Sequence, residues 1–187
     1  MNFWGWLAGF FAAEGWFGYY LGRNHKPYVR LDVSQKEKEP LEVLMQFLGV
    51  GNIHLARNKV YEWYVYTLYG LAAESLYGTL VEQPMSDDWI RGFWEGDGSA
   101  YFGEPPYCYA RVRFTQKSRR VLDEIRDYLG AGSVCECSGG YHRLTIYDGK
   151  KKLLLWLLEG AQSPRRRLQL EGYLGTKGGE VNGVCNT

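Results

Sequence analysis

The chain has 187 residues, 45% of them apolar and 16% aromatic, which demands a folded core and excludes disorder as a description of the whole. Its 22 Lys and Arg face 21 Asp and Glu for a net charge of +1, so there is no general basic surface, and any nucleic-acid binding must rest on charge gathered on one face. No uncharged apolar run reaches the roughly eighteen residues of a membrane helix, and the start Asn2-Phe3-Trp4-Gly5-Trp6 lacks the features of a secretion signal; no membrane association and an intracellular location are expected.

The first predicted element is a helix over Leu7-Ala-Gly-Phe-Phe-Ala-Ala-Glu14, with Gly15 as its terminating glycine. Two strands follow. In the second of them Val29, Leu31 and Val33 alternate with Tyr28, Arg30, Asp32 and Ser34, the period of a half-buried strand. Leu41, Leu44, Met45 and Leu48 mark a helix, residues 52–57 and 61–67 two more strands, and a closing helix runs from about Leu71 to Leu80. Between Val81 and Asp87 the chain is a linker, broken by Pro84.

Beyond the linker the order returns. Ile90-Arg-Gly-Phe-Trp-Glu-Gly-Asp97-Gly98 echoes the opening helix 83 positions on; Arg111-Val-Arg-Phe-Thr-Gln-Lys117 echoes Arg30-Leu-Asp-Val-Ser-Gln-Lys36 at 81; and Tyr128-Leu-Gly-Ala-Gly132 echoes Phe47-Leu-Gly-Val-Gly51, again at 81. Three echoes in one order at nearly one spacing point to a duplication. The second copy predicts a strand in which Ala110, Val112 and Phe114 alternate with Tyr109, Arg111, Arg113 and Thr115. A helix follows, N-capped by Ser118, with Val121, Leu122, Ile125 and Leu129 inward. Strands over 133–138 and 141–147 and a helix from about Lys151 to Leu158 complete the copy. Ser163-Pro164 then opens a short basic helix carrying Arg165, Arg166 and Arg167, and the Gly-rich tail from Gly175 reads as frayed. The fold class is α+β (mixed α/β): two αββαββα repeats, 1–82 and 88–174, joined by linker 83–87 and followed by tail 175–187, each with a four-stranded antiparallel sheet that is apolar on one face and polar on the other.

Cys108, Cys135, Cys137 and Cys185 all fall in the second half, and Cys135-x-Cys137 is too tight for a zinc knuckle. Buried thiols are the expected reading, and spacing does not decide whether any pair. His25, His54 and His142 are scattered, with no metal-binding pattern. Charge is not concentrated by halves either: residues 1–83 hold 7 basic and 8 acidic residues, and 84–187 hold 15 and 13.

Gly9 and Ala13 share one face of the first helix, and Gly92 and Gly96 one face of its copy. Small residues at that spacing let two helix backbones approach closely. Packed about a pseudo-two-fold axis, the helices would bring Glu14 and Asp97 together at the negative ends of both macrodipoles. That placement repels unless divalent cations occupy it, and hard oxygen ligands suit Mg²⁺.

Both segments resemble LAGLIDADG motifs, and the element order is similar to that of the LAGLIDADG homing endonucleases of the single-chain, two-motif type; the resemblance covers residues 4 to about 172. It implies a central two-helix interface, two sheets forming a saddle over double-stranded DNA, and a monomer with internal pseudo-symmetry. It further implies a Mg²⁺-dependent endodeoxyribonuclease that cuts both strands of a long asymmetric target and leaves short 3′ overhangs, as in intron homing. Glu14 and Asp97, with Ala13 and Gly96 before them, would hold two or three divalent ions; Ca²⁺ would bind without supporting cleavage. Gln35, Lys36, Gln116 and Lys117, and more distantly Arg166, match the polar and basic shell around the attacking water. Arg91, Trp94 and Glu95 depart from the motif, and its eighth position is Glu in one copy and Asp in the other.

On that geometry the outward rows would meet DNA: Tyr28, Arg30, Asp32 and Ser34 in one repeat, Tyr109, Arg111, Arg113 and Thr115 in the other, with Arg57, Lys59, Tyr66, Arg143 and Thr145 beside them. Arg suits guanine and Asp cytosine in the major groove. Arg119 and Arg120, and the run from Lys150 to Lys152, would hold phosphates. Two rivals stand: a non-cleaving LAGLIDADG nucleic-acid binder, either an RNA-splicing maturase or a DNA-binding regulator, and a small-molecule or carbohydrate domain suggested by 7 Trp and 15 Tyr.

Overall fold

The computed structural model describes residues 1–22, 25–103, 109–148 and 152–175. They fall into two compact units, one from Met1 to Gly96 and one from Asp97 onward. The first holds helix α1 (Phe3–Glu14), strands β1 (Gly15–Leu21) and β2 (Pro27–Gln35), helix α2 (Glu39–Leu48), strands β3 (Asn52–Arg57) and β4 (Glu62–Tyr69) and helix α3 (Gly70–Val81). It also holds all but the last residue of helix α4 (Asp87–Asp97). The second holds β5 (Gly98–Phe102), β6 (Ala110–Gln116), α5 (Arg119–Leu129), β7 (Ser133–Glu136), β8 (His142–Asp148), α6 (Lys152–Leu158) and α7 (Pro164–Gly175). This is the mixed α/β order the sequence implied. The stretch that was expected to extend β7 to residue 138 instead folds into a 3-10 turn at Ser138–Gly140, where two successive glycines take positive φ and end the strand. Of the basic run at 150–152 only Lys152 is described, exposed at the start of α6, and the tail beyond Gly175 lies outside the described residues.

Each sheet is antiparallel and four-stranded, in the orders β1-β2-β4-β3 and β5-β6-β8-β7. The alternation in β2 and β6 is realised residue by residue: Val29, Leu31 and Val33, and Ala110, Val112 and Phe114, are buried, and the residues between them are not. One face of the first sheet therefore meets Leu41 and Leu44 of α2 and Ala73, Leu76 and Leu80 of α3; the second covers its own with Leu122 and Ile125 of α5, Leu154 and Leu157 of α6 and Leu170 of α7. α2 and α5 both stop at a glycine in the left-handed region, Gly49 (φ 68°) and Gly130 (φ 64°), where any other residue would be strained.

Three local expectations change. Gly15 does not end α1 through left-handed geometry, since its backbone is extended (φ −89°); a side chain there would run into the Phe11 ring, so space dictates the glycine. Ser118 holds the N-cap position of α5, but its hydroxyl makes no capping bond. Cys135, read as a buried thiol, is exposed and free, and Cys137 is half-buried and free. The cause is that β7 is an edge strand with Cys135 paired to Arg143 on the outward face.

Candidate active site and polar sheet faces

α1 is apolar along nearly its whole length, which a helix tolerates only when covered on most sides; Trp6, Leu7, Ala8 and Phe10 are all buried. Within the first unit part of that cover is the backbone of α4, at Trp89 and Phe93. The approach is reciprocal. A Cβ on Gly9 would overlap the carbonyl of Trp89, and a Cβ on Gly92 would overlap the carbonyl of Trp6. Backbone touches backbone at both points. At the far end a Cβ on Gly96 would come 2.6 Å from Ala13 Cβ and 2.8 Å from Glu14 Cγ. Glu14 is the last residue of α1, and Asp97, which follows Gly96, is the last of α4. The entry to α4 is secured by the Ser86 hydroxyl, which accepts from Trp89 N at 3.2 Å. Of the residues that depart from the usual motif, Arg91 pairs with Asp88 one turn back (3.2 Å), while Trp94 and Glu95 are buried.

Asp97 is partly buried, and loss of hydration pushes its carboxyl up to about 6, with the Arg166 guanidinium pulling the other way. Gln116 Nε2 donates to Asp97 Oδ2 at 2.8 Å while Gln116 Oε1 accepts from Lys117 N, also at 2.8 Å. The first repeat uses the same fold-back: Gln35 Oε1 accepts from Lys36 N at 2.9 Å. Lys36 and Lys117 are exposed, and Lys117 Nζ lies 5.5 Å from the Tyr141 ring centre. Arg166 sits in the first turn of α7, where Ser163 Oγ accepts its backbone N–H at 3.2 Å, as the Ser163-Pro164 pair foretold.

Strand register sorts the outward rows. In the first sheet Asp32 opposes Trp16 and Thr67, Arg30 opposes Gly18 and Tyr69, and Ser34 opposes Val65. Arg30 Nε donates to Asp32 Oδ1 at 2.8 Å, the same oxygen accepts from Thr67 Oγ1 at 2.8 Å, and the guanidinium lies 5.2 Å from the Tyr20 ring and 6.0 Å from Tyr69. In the second sheet Arg113 opposes Ser99 and Thr145, Arg111 opposes Tyr101 and Tyr147, and Thr115 opposes Arg143. Tyr109 stands at the end of the row with its ring 5.5 Å from that of Tyr147.

Other expected DNA-facing residues lie elsewhere. Tyr66 opposes Val33, so it belongs to the apolar face; it is fully buried, donates its hydroxyl to Val50 O at 2.8 Å, and burial pushes its phenol up to about 12. Arg57 opposes Glu62 and shares the side of Tyr64 and Tyr66, exposed at the strand end. Lys59 is exposed in the β3–β4 turn. Arg119 and Arg120 occupy the first turn of α5, each paired to an acid one turn on, Asp123 at 3.3 Å and Glu124 at 2.8 Å. Tyr20, Thr67, Tyr69, Tyr101 and Tyr147 were missed: they stand on the outward faces only by virtue of pairing, which no single strand's pattern reveals.

Residues 7–74 match the family model described as LAGLIDADG endonuclease. Among solved structures the chain is similar to the LAGLIDADG meganuclease I-AabMI bound to uncleaved DNA, with a TM-score of 0.76 at 14% identity, covering 94% of this chain and 90% of that one. It is also similar to the homing endonuclease I-GzeII in complex with its DNA target, at TM-score 0.70, 16% identity and 94% and 89% coverage. For I-SmaMI bound to cleaved DNA the values are 0.67, 16%, 94% and 88%. This is the LAGLIDADG fold. No curated protein matches the chain by sequence.

α1 and α4 carry the two repeated segments, and each ends in an acid. Among the described residues no group of three or more His, Cys, Asp or Glu forms a metal cage. Mg²⁺ keeps several waters and is commonly held by one or two carboxylates and by substrate phosphates. Asp97, a desolvated carboxylate whose Arg166 neighbour only partly offsets the burial, is a group that a cation would relieve.

Proposed function

We propose that this protein is a site-specific endonuclease that hydrolyses both strands of a long, asymmetric double-stranded DNA target with divalent metal, leaving short 3′ overhangs. The observation that carries the reading is the pair of LAGLIDADG helices in backbone contact at Gly9 and Gly92, each ending in an acid. The fold supports it, being similar to meganucleases solved on uncleaved and cleaved DNA. Glu14 and Asp97, with the residues before them, Ala13 and Gly96, are the proposed ligands of Mg²⁺. When bound, the ion polarises a phosphate oxygen and acidifies water.

The chain's own residues do the rest. Gln116 orients the Asp97 carboxylate through its amide N–H, and Arg166 favours the ionised form that a cation requires. Gln35 and Gln116 hold Lys36 and Lys117 at the ends of β2 and β6, two cations for the phosphates on either strand. The outward rows of β2 and β6 would lie in the major groove. No helix among the described residues is long and apolar enough to cross a membrane, and a chain carrying both repeats would act as a monomer.

The test is a plasmid pool of candidate insertion sites incubated with Mg²⁺ or Ca²⁺. Linear product with 3′ overhangs in Mg²⁺, and binding without product in Ca²⁺, is the expected result. Glu14→Gln and Asp97→Asn should each cut double-strand cleavage by about 1,000-fold or more while leaving duplex binding in place, the scale of several kcal/mol of lost charge stabilisation. Tight binding with no cutting at a verified site would replace this reading with a non-cleaving binder, a maturase or regulator on the same scaffold.

A further inference from the structure

The outward faces of the two sheets are built on one register but carry opposite charge logic. On the first, Arg30 is accompanied by Asp32, which takes its Nε at 2.8 Å and a further bond from Thr67. On the second, the position of Asp32 is held by Arg113, opposite Thr145 as Asp32 is opposite Thr67. Arg111, Arg113 and Arg143 share that face, and among the described residues no carboxylate does. The buried Nε atoms of Arg111 and Arg113 have no hydrogen-bond partner, and Arg111 is only flanked by the Tyr101 ring at 5.0 Å. Neither arginine is neutralised within the face, and a guanidinium without an acceptor of its own is open to a ligand that brings paired acceptors.

We propose that the β5–β8 face is the half that dominates DNA affinity and that Arg111 and Arg113 are its specificity-determining residues, reading guanines; the β1–β4 face, where Asp32 already satisfies Arg30, binds its half-site weakly. This rests on the DNA-binding reading above and adds to it which half carries the energy and which base it takes. Guanine follows from chemistry: it alone presents two acceptors, O6 and N7, to a guanidinium in the major groove. Two residues apart on a strand, the two side chains are separated by about 7 Å, or two base steps at about 3.4 Å each. The guanines are therefore two base pairs apart.

The experiment is selection of a random duplex pool by the full chain in calcium buffer, at two salt concentrations, with wild type, Arg113→Gln, Arg113→Lys and Asp32→Asn. Wild type should enrich one half-site with guanines at that spacing. Arg113→Gln should lose one of them and weaken binding about 10- to 100-fold, with little change in the salt slope. Arg113→Lys keeps the charge without the paired fork, so the slope should stay and the guanine preference fall; melting of each variant confirms folding. Asp32→Asn should strengthen binding and sharpen the opposite half-site. Equal information in both half-sites, or a base profile untouched by either Arg113 variant, overturns the assignment while leaving DNA binding intact. Loss of salt slope with an unchanged profile means these arginines hold phosphates and overturns it too. Retention of no duplex at all removes the DNA reading together with it.

Discussion

The two repeats share a backbone plan and differ where their side chains look outward. Gly9 and Gly92 each admit the other helix's carbonyl, Gly49 and Gly130 each end a helix in left-handed geometry, and Gln35 and Gln116 each fold back onto the next residue's N–H. At these positions the geometry leaves one solution, and both copies hold it. Asp32 against Arg113, Glu14 against Asp97 and Tyr66 against Leu144 have diverged. The first of these exchanges sits on an open face, where a charge can reverse at no cost to packing. The contrast teaches that the duplication conserved the mechanics of the helix seam and the sheets, and let the chemistry of the two halves separate.

The most severe way to break the comparison, after loss of either acid, is to fill the seam. Gly9→Ala and Gly92→Ala should each destabilise by roughly 3 kcal/mol or more, because the obstacle is backbone that cannot rotate away; chemical denaturation should give similar losses for the two, and a large inequality would mean that the contact is not reciprocal. The next effect separates the acids. Asp97 has its carboxyl raised from 3.8 to about 6, so below about pH 4 it is neutral whether folded or not, and its contribution to stability is fully present. As pH rises toward 6 and beyond, the unfolded chain ionises first and the folded state loses that contribution. Melting of the metal-free protein should therefore fall with rising pH more steeply in wild type than in Asp97→Asn, and Mg²⁺ should raise the melting temperature mainly above pH 6. Arg166→Gln should shift both features to higher pH, since its pull on Asp97 is lost.

Smaller effects sharpen the comparison. Tyr66→Phe strands the Val50 carbonyl and should cost about 1–2 kcal/mol without altering DNA affinity; its counterpart Leu144 makes no such bond, so the dependence belongs to one repeat. A change in base preference in Tyr66→Phe would return Tyr66 to the outward face. The slightest effect is Gly78→Ala in α3, where nothing lies within 4 Å of the added methyl. It should stabilise by about 0.5–1 kcal/mol, in contrast to the same substitution in the seam.

Much of this molecule could be read along the chain. The echo of one segment 81–83 positions on, the alternation in β2 and β6, and the small residues four apart ahead of Glu14 and Asp97 are local or additive signals. They specify element type, buried face and the αββαββα order without knowledge of any partner. What the letters could not supply were the partners themselves. The run Val65-Tyr-Thr-Leu68 has no visible period; only pairing with Val33 decides the side of Tyr66. Residue type points Cys135 inward, and its edge position sends it out.

The amino-acid sequence by itself determined the duplication, the strands and helices of each copy, and the two acids at the helix ends, because periodicity and repetition are properties of one chain's order. Tertiary structure alone decided that Asp32 occupies Arg30 and takes a bond from Thr67 while Arg113 stands without an acid, and that burial lifts the Asp97 carboxyl. It also decided that Gly9 and Gly92 meet carbonyls rather than side chains. Charge pairing, desolvation and close approach depend on distances between residues remote in sequence, and those distances exist only once the chain has folded.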